Sequence, residues 1–486
     1  MLFQSLPFLW FFFAVFSAVA LAGKLRMQLL ILFAASIAFY AFWEPSYCLI
    51  LLSCLACNYF AALRIDSARG QVSKKIWLFC ACTVNIGLLC FFKYYNFFAG
   101  SLNEVSSMLG LSVTVGLLDV LLPVGISFYT FISLGYVIDV YRGACRPEKW
   151  FPRFALLPSF FPIVLSGPVL RANDFFSQLR VPVRPDKQNI TIACNLFLQG
   201  LVKKVLVADQ IAPLADYIFE NPQGLPSIVI IIGAITFGVQ IYCDFSGYTD
   251  MALGVARAMG YRLPKNFNYP YFAASFGDFW KRWHMSLSSW LRDYVYIPLG
   301  GNRKGRRRTY CNLLATMGLC GLWHGASWNF VLWGIYHGMM LMIERAFAPR
   351  KEVLMPGVIQ TVQSPGWGKL KKIAVTVVVQ YFVFLGWMIF RVKNPGDIVY
   401  CVKKYVFFDC NFNIASLGLG NTNPFLAAFT LLLFGVAHSF AYKYGAFAKR
   451  VSGLSMPKRI VFYVAVVFVV IILWPTENAS FIYFQF

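Results

Sequence analysis

The chain has 486 residues, 59% hydrophobic and 13% charged, with a mean hydropathy of +0.63. Soluble domains run about 45–50% apolar and about 25% charged. Too little polar surface remains here to coat a water-soluble globule, which excludes a soluble enzyme, a disordered chain and a coiled coil and leaves a polytopic membrane protein.

Lys and Arg total 43 against 20 Asp and Glu, a net charge of +23. These basic residues sit in short loops between apolar runs, where they retain loops in the cytoplasm and touch anionic lipid. Membrane lipid, not nucleic acid, is therefore the expected partner of the charge. Most of the 13 cysteines lie inside apolar runs. Cys54 and Cys57 have redox-motif spacing, but within SYCLILLSCLACNYFAA they act as small hydrophobes. No disulfide framework and no metal site is expected.

A span needs about 20 apolar residues. In chain order the candidates are 6–22, 27–43, 46–62, 76–98, 115–138, 190–208, 227–243, 309–323, 327–346, 372–391, 424–441 and 459–474. The first has no basic residue before it and no small-residue cleavage site, so it reads as a retained anchor and not a signal peptide. The loops then alternate. Lys24 and Arg26 follow the first span, Glu44 the second, and Arg64, Arg69, Lys74 and Lys75 the third. SLNEVSSMLG carries no basic residue, and Arg142, Arg146, Lys149 and Arg153 come after the fifth span. The positive-inside rule then places the N-terminus outside and the basic loops in the cytoplasm.

Segment 154–170, FALLPSFFPIVLSGPVL, breaks the alternation, with basic residues on both sides and Pro158, Pro162 and Pro168 inside. It is expected to dip in and return, which requires protein or a water-filled chamber around it. The loop after 208, with Asp209, Asp216 and Glu220, reads as external. Tract 350–371 reads as a cytoplasmic loop and 392–423 as a second irregular stretch, although Lys393, Lys403 and Lys404 fall where an external loop is expected. No repeat of about 20–50 residues is visible. One membrane domain over 1–486 is the economical reading, with N-terminal helices in 1–110, a core in 115–346 and C-terminal helices in 372–486.

Four histidines are available for chemistry: His284, His324, His337 and His438. Residues 279–294, FWKRWHMSLSSWLRDY, predict one amphipathic helix. Trp280, Trp283, Leu287, Leu291 and Tyr294 share its apolar face, and His284 points to that side. A core histidine bonded to a backbone carbonyl accounts for His284 as well as a functional one does. His324, in CGLWHGASW, ends an apolar run that begins near Tyr310. That run is about 15 residues, or about 22 Å of helix, short of a core about 30 Å thick. His324 should therefore lie inside the membrane, where an ionisable group is a functional candidate by default. Gly321 and Gly325 beside it permit close approach of backbone or ligand. His337 is expected to pack or to bond between helices, and His438 to be structural.

CDFSGYTDMA places Asp244, Ser246, Tyr248 and Asp250 at the end of a predicted span. Asp244 is expected to orient a histidine or to cap the next helix. Residues 281–308 carry eight Lys or Arg and one acid, Asp293. This stretch is either a cytoplasmic stop on lipid headgroups or a phosphate-attracting apron beside His284. Standard hydrolase, nucleotide-binding and H-E-x-x-H motifs are absent.

The wording around these positions is itself distinctive. LLPVGISFYTFISLGYVIDVYRG at 121–143, SGPVLR at 166–171, QIYCDFSGYTDMALGVARAMGY at 240–261, NFNYPYFAASFGDFWKRWHMSLSSWLRDYVYIPLGGNRKG at 266–305 and GLWHGASWNFVLWGIYHG at 321–338, with the closing FIYFQF, resemble the membrane-bound O-acyltransferase family. Within it, the chain is similar to the bacterial branch that O-acetylates alginate, and the resemblance covers nearly the whole chain. It implies an all-α ring of about 11–12 transmembrane helices, with re-entrant and interfacial helices, around a central funnel. His324 matches the family's essential intramembrane histidine and His284 the second histidine of the branch.

Asp244, Ser246, Tyr248, Trp323 and Trp283 are then candidates to orient groups or line the funnel, and Lys281, Arg282, Arg292 and Arg303 to bind the donor. The resemblance further implies an inner-membrane O-acetyltransferase that takes acetyl from a cytoplasmic donor, acetyl-CoA, with no permanently bound cofactor. It delivers the group to hydroxyls of an exported polysaccharide, commonly with a periplasmic partner. A sister branch acetylates peptidoglycan, and a more distant one carries D-alanine to teichoic acids. A transporter using its histidines as proton relays is the rival class, against which stands the lack of internal symmetry.

Overall fold

Backbone that leaves water must bond to itself, and the apolar runs of this chain do so as helices. The computed structural model describes residues 1–347, 368–410, 423–445, 447–474 and 481–482, and among these no strand occurs. In chain order the helices are α1 (Leu6–Leu21), α2 (Leu25–Ala41), α3 (Tyr47–Ser67), α4 (Gln71–Met108), α5 (Ile126–Tyr141), α6 (Phe151–Ser159), α7 (Ala172–Gln178), α8 (Lys187–Glu220) and α9 (Ser227–Ala258). Then come α10 (Phe276–Arg282), α11 (Met285–Leu291), α12 (Gly305–His324), α13 (Trp328–Phe347), α14 (Lys369–Arg391), α15 (Pro395–Val406), α16 (Pro424–Tyr444), α17 (Phe447–Ser452) and α18 (Met456–Ile472).

Six of these are long and apolar enough to cross a membrane: α3, α4, α8, α9, α14 and α16. The chain is an all-helical, polytopic membrane protein. Helices α1, α2 and α5 are apolar but have only 16, 17 and 16 residues.

Several elements run further than apolar windows predict. SLNEVSSMLG is not a loop, because α4 continues through a π-helical turn at Cys90–Tyr94 to Met108. The predicted span 115–138 becomes helical only at Ile126. Asp209, Asp216 and Glu220 lie in α8 and not in a loop. Helix α9 passes straight through the polar cluster to Ala258. Within 392–423, residues Pro395–Val406 are helical. Residues 350–367 of the predicted cytoplasmic loop and 411–422 of the irregular stretch lie outside the described residues.

The chain divides into two compact units, 1–194 with 252–264, and 195–251 with 265–486. In the first, α3 packs on α4 and α5, and α2 on α6. Asn58 on α3 and Asn85 on α4 donate amide hydrogens to each other's carbonyl oxygens at 3.3 and 2.9 Å, a paired contact that satisfies both inside an apolar layer. Segment 154–170 turns out of helix after Ser159 and is buried at every residue. Its irregular backbone is thus enclosed by protein. The Phe161 N–H donates to Ser36 Oγ at 3.1 Å, one of the external bonds that such backbone requires.

In the second unit, α12 and α13 form a tight antiparallel pair joined at Gly325–Ser327. Glycines set their separation. A Cβ on Gly321 would lie 2.1 Å from the Phe330 carbonyl oxygen, and one on Gly334 would lie 2.2 Å from that of Met317.

Candidate active site

The second unit gathers residues far apart in sequence around one indole. His324 is the last residue of α12 and is 4% exposed. Its ring stands edge-on to Trp323 and Trp333, each with centroids 5.0 Å away, and lies 5.5 Å from Phe390. His284 is fully buried, 4.8 Å from the Phe245 ring and 6.0 Å from Trp323. Trp323 therefore contacts both histidines, which are forty positions apart. Gly325 lets the chain turn directly after His324, because a Cβ there would enter the Phe330 ring at 2.1 Å. Close approach is thus realised at Gly321 by the backbone of α13 and at Gly325 by the Phe330 ring.

The predicted single helix over 279–294 does not form. Helix α10 ends at Arg282, Trp283 is extended, and His284 adopts the left-handed conformation with φ 41° and ψ 54° before α11 starts. A π-helical turn follows at Arg292–Tyr296. The break has a local cause. The main-chain oxygen of Asn266 accepts the Met285 N–H at 2.9 Å, and the Asn268 N–H donates to the Arg282 carbonyl at 2.9 Å. Extended chain 266–268 thereby takes up hydrogen bonds on both sides of Trp283–His284. His284 lies in none of the spanning helices, and burial pushes its imidazole down to about 3 against a smaller opposing hydrogen bond to its own backbone. Neither of its ring nitrogens bonds to another residue among those described.

Helix α12 also differs from expectation. It begins at Gly305, so its 20 residues measure about 30 Å and not the about 22 Å predicted. The additional turn is the exposed Arg306–Arg308 segment, and the apolar part still starts near Tyr310.

Asp244 does not cap a helix. It lies well inside α9, 2% exposed, where its carboxylate meets Lys204 Nζ at 2.7 Å and accepts the Ile482 N–H at 2.8 Å. Lys204 also meets Asp209 at 2.9 Å. Its neighbour Lys203 meets Asp250 at 2.7 Å, and Gln199 donates to the same carboxylate oxygen. In a regular helix successive side chains diverge by about 100°; the π-helical turn Val202–Ala208 accompanies two consecutive lysines that both reach α9. Gly200 and Gly247 allow this closeness, since a Cβ on Gly200 would lie 2.4 Å from the Gly247 oxygen. Lys204, Asp209, Asp244 and Ile482, with Asp216 and Arg391, help line a cavity of about 450 Å³.

Lys203 and Lys204 carry a signal in the sequence itself, since two lysines within an apolar run mark paired, costly charges. Of the other candidates, Ser246 is buried in α9, and Tyr248 stacks on Phe481 at 4.7 Å. Trp283 packs on Trp387 at 4.5 Å and Phe267 at 5.0 Å. Arg282 is paired with Asp278 at 2.8 Å and Arg292 with Asp293 at 2.6 Å, while Lys281 and Arg303 are exposed. His337 packs among Phe279, Trp280 and Trp333, and His438 among Tyr242, Phe272 and Phe434.

Comparison with known proteins is consistent with this architecture. The model of the membrane-bound O-acyltransferase family matches residues 151–352, which include both histidines. Over 399 residues the chain is 41% identical to the probable alginate O-acetylase AlgI of Pseudomonas aeruginosa, an alignment covering 81% of this chain and 72% of that protein. The chain belongs to the membrane-bound O-acyltransferase family. It is also 34% identical to the peptidoglycan O-acetyltransferase of Helicobacter pylori, over 76% of this chain and 72% of that one. The teichoic acid D-alanyltransferase of Streptococcus thermophilus is 28% identical over 54% of this chain and 68% of its own length. These relatives acylate different polymers, so what the family membership establishes is an O-acyltransferase built as a multi-pass membrane protein.

Proposed function

We propose that this membrane-bound O-acyltransferase takes an acetyl group from a cytoplasmic thioester, acetyl-CoA, and passes it toward hydroxyls of an exported polysaccharide through a periplasmic partner. The observation that carries this reading is the contact of one indole, Trp323, with both buried histidines. His324 is the general base. It takes the proton of the acceptor hydroxyl as the oxygen attacks the thioester carbonyl carbon, and the C–S bond breaks to release the thiolate, which recovers the proton. A neutral imidazole has a ring nitrogen free of hydrogen that can accept this proton.

His284 assists by positioning the donor or relaying the proton. Exposed Lys281 and Arg303 attract the donor's phosphates from the cytoplasmic side. The protein sits in the bacterial inner membrane with its N-terminus outside. Peptidoglycan is the second acceptor reading, favoured by the similarity to the H. pylori enzyme.

Inverted membrane vesicles given labelled acetyl-CoA test the proposal. Label should reach protein, partner or polymer in the wild type and fall about 10²–10⁴-fold in His324→Ala. Near-normal transfer by a well-expressed His324→Ala protein would sink it.

A further inference from the structure

The corner at His284 is held by a residue that no part of the transfer scheme uses. Asn266 is 1% exposed. Its main-chain oxygen accepts the Met285 N–H at 2.9 Å, and its side-chain Oδ1 accepts the Ser286 N–H at 3.4 Å and the Ser286 hydroxyl at 2.5 Å. A backbone N–H can only donate, so the carboxamide orientation is fixed with oxygen toward Ser286. One residue thus bonds to both positions that follow His284. On the other side, Asn268 bonds Arg282 through its N–H at 2.9 Å and accepts from the Arg282 guanidinium at 3.3 Å.

Left-handed backbone is uncommon outside glycine, and such conformations persist only where the surroundings over-determine them. His284 and Tyr269 are the non-glycine positive-φ residues among those described. Without the Asn266 side chain both Ser286 bonds are lost and only the main-chain bond to Met285 remains. The turn is released toward the continuous helix that the sequence of α10 and α11 favours. His284 would then rotate with that helix, away from its seat between Phe245 and Trp323.

We infer that Asn266 is a positioning residue of the acyl-transfer site, which holds His284 in its left-handed turn and so presents the imidazole to Trp323, the indole that His324 also contacts. The inference rests on the transfer reading and extends it to a residue that makes the site without performing the chemistry. Misplacing a reacting group by about 1 Å costs about 10²-fold in rate. Asn266→Ala should therefore lower kcat by about 10²-fold, with the KM for acetyl-CoA changed little.

The test uses the full chain in inverted vesicles with its partner, labelled acetyl-CoA, and four proteins: wild type, Asn266→Ala, His284→Ala and the double variant. Because Asn266 acts through His284, the double variant should be no slower than His284→Ala alone. Asn266→Asp keeps an oxygen for Ser286 and should recover most of the rate. Gel filtration and thermal unfolding in detergent establish that each variant is folded.

Additive losses in the double variant, or an Asn266→Asp protein as slow as Asn266→Ala, would overturn the positioning role. An inactive wild type would instead overturn the transfer reading on which it stands. The two failures are thus told apart by the first reaction in the series.

Discussion

At the scale of single residues, the burial of His284 has a consequence for pH. The folded imidazole is depressed to about 3, whereas an unfolded one titrates near its usual 6.5. Between those values the unfolded chain binds a proton that the folded chain does not. Stability from this residue is therefore complete above about pH 6.5 and is lost as pH falls toward 3, by at most about 1.4 kcal/mol per pH unit. Thermal unfolding in detergent at pH 7.5 and 5.0 should show a larger fall for the wild type than for His284→Gln, which cannot titrate. An equal fall in both would mean that this imidazole takes up a proton in the folded state. The same depression means that the acid limb of any activity profile above pH 5 belongs to another group.

At the scale of elements, the spans were largely legible and their ends were not. Helices α1, α2, α3, α12, α13, α14, α16 and α18 overlie eight predicted spans, because long apolar runs have few other ways to satisfy their backbone in lipid. The predicted windows for α8 and α9 end just before Asp209 and Asp244, where carboxylates interrupt the apolar run. Both carboxylates are in fact compensated by Lys204. The reading of 279–294 as one helix followed a real periodicity, and Trp280, Trp283, Leu287 and Leu291 are indeed buried. The chain departs from it at His284, where Met285 and Ser286 donate hydrogen bonds to Asn266.

The glycines flanking His324 are legible in the sequence as close-approach positions, but only the structure shows what approaches. At Gly321 it is the backbone of α13, which cannot swing aside as a side chain can. Gly321→Ala should thus destabilise the folded protein by about 1–3 kcal/mol through overpacking. Gly318→Ala on the same helix meets nothing within 4 Å. It should be neutral, or stabilising by about 0.5–1 kcal/mol through helix propensity. Thermal midpoints of the pair decide the matter, since equal midpoints would mean that α12 and α13 are not in tight contact.

At the scale of the whole molecule, the charge map makes a claim about sidedness. Helix α3 ends at Ser67 and α4 starts at Gln71, so the turn at 68–70 joins two spanning helices. Around it stand Arg64, Arg69, Lys74 and Lys75. The 38-residue α4 then runs to Met108, about 57 Å of helix against a hydrocarbon core about 30 Å thick. Its far end leads into 109–125, a non-helical stretch that contains Asp119 and no Lys or Arg. In the orientation proposed above, which follows the positive-inside rule, the turn faces the cytoplasm and the stretch lies outside.

Gly70 and Gly116 have nothing within 4 Å of an added Cβ, so cysteine is sterically tolerated at both. In spheroplasts, a membrane-impermeant maleimide should label Gly116→Cys above the wild-type background and leave Gly70→Cys at background until the membrane is opened. The reverse pattern would invert the protein. His324 would then draw its acyl donor from the side where no acetyl-CoA is made, and the proposed direction of transfer would fall with the topology.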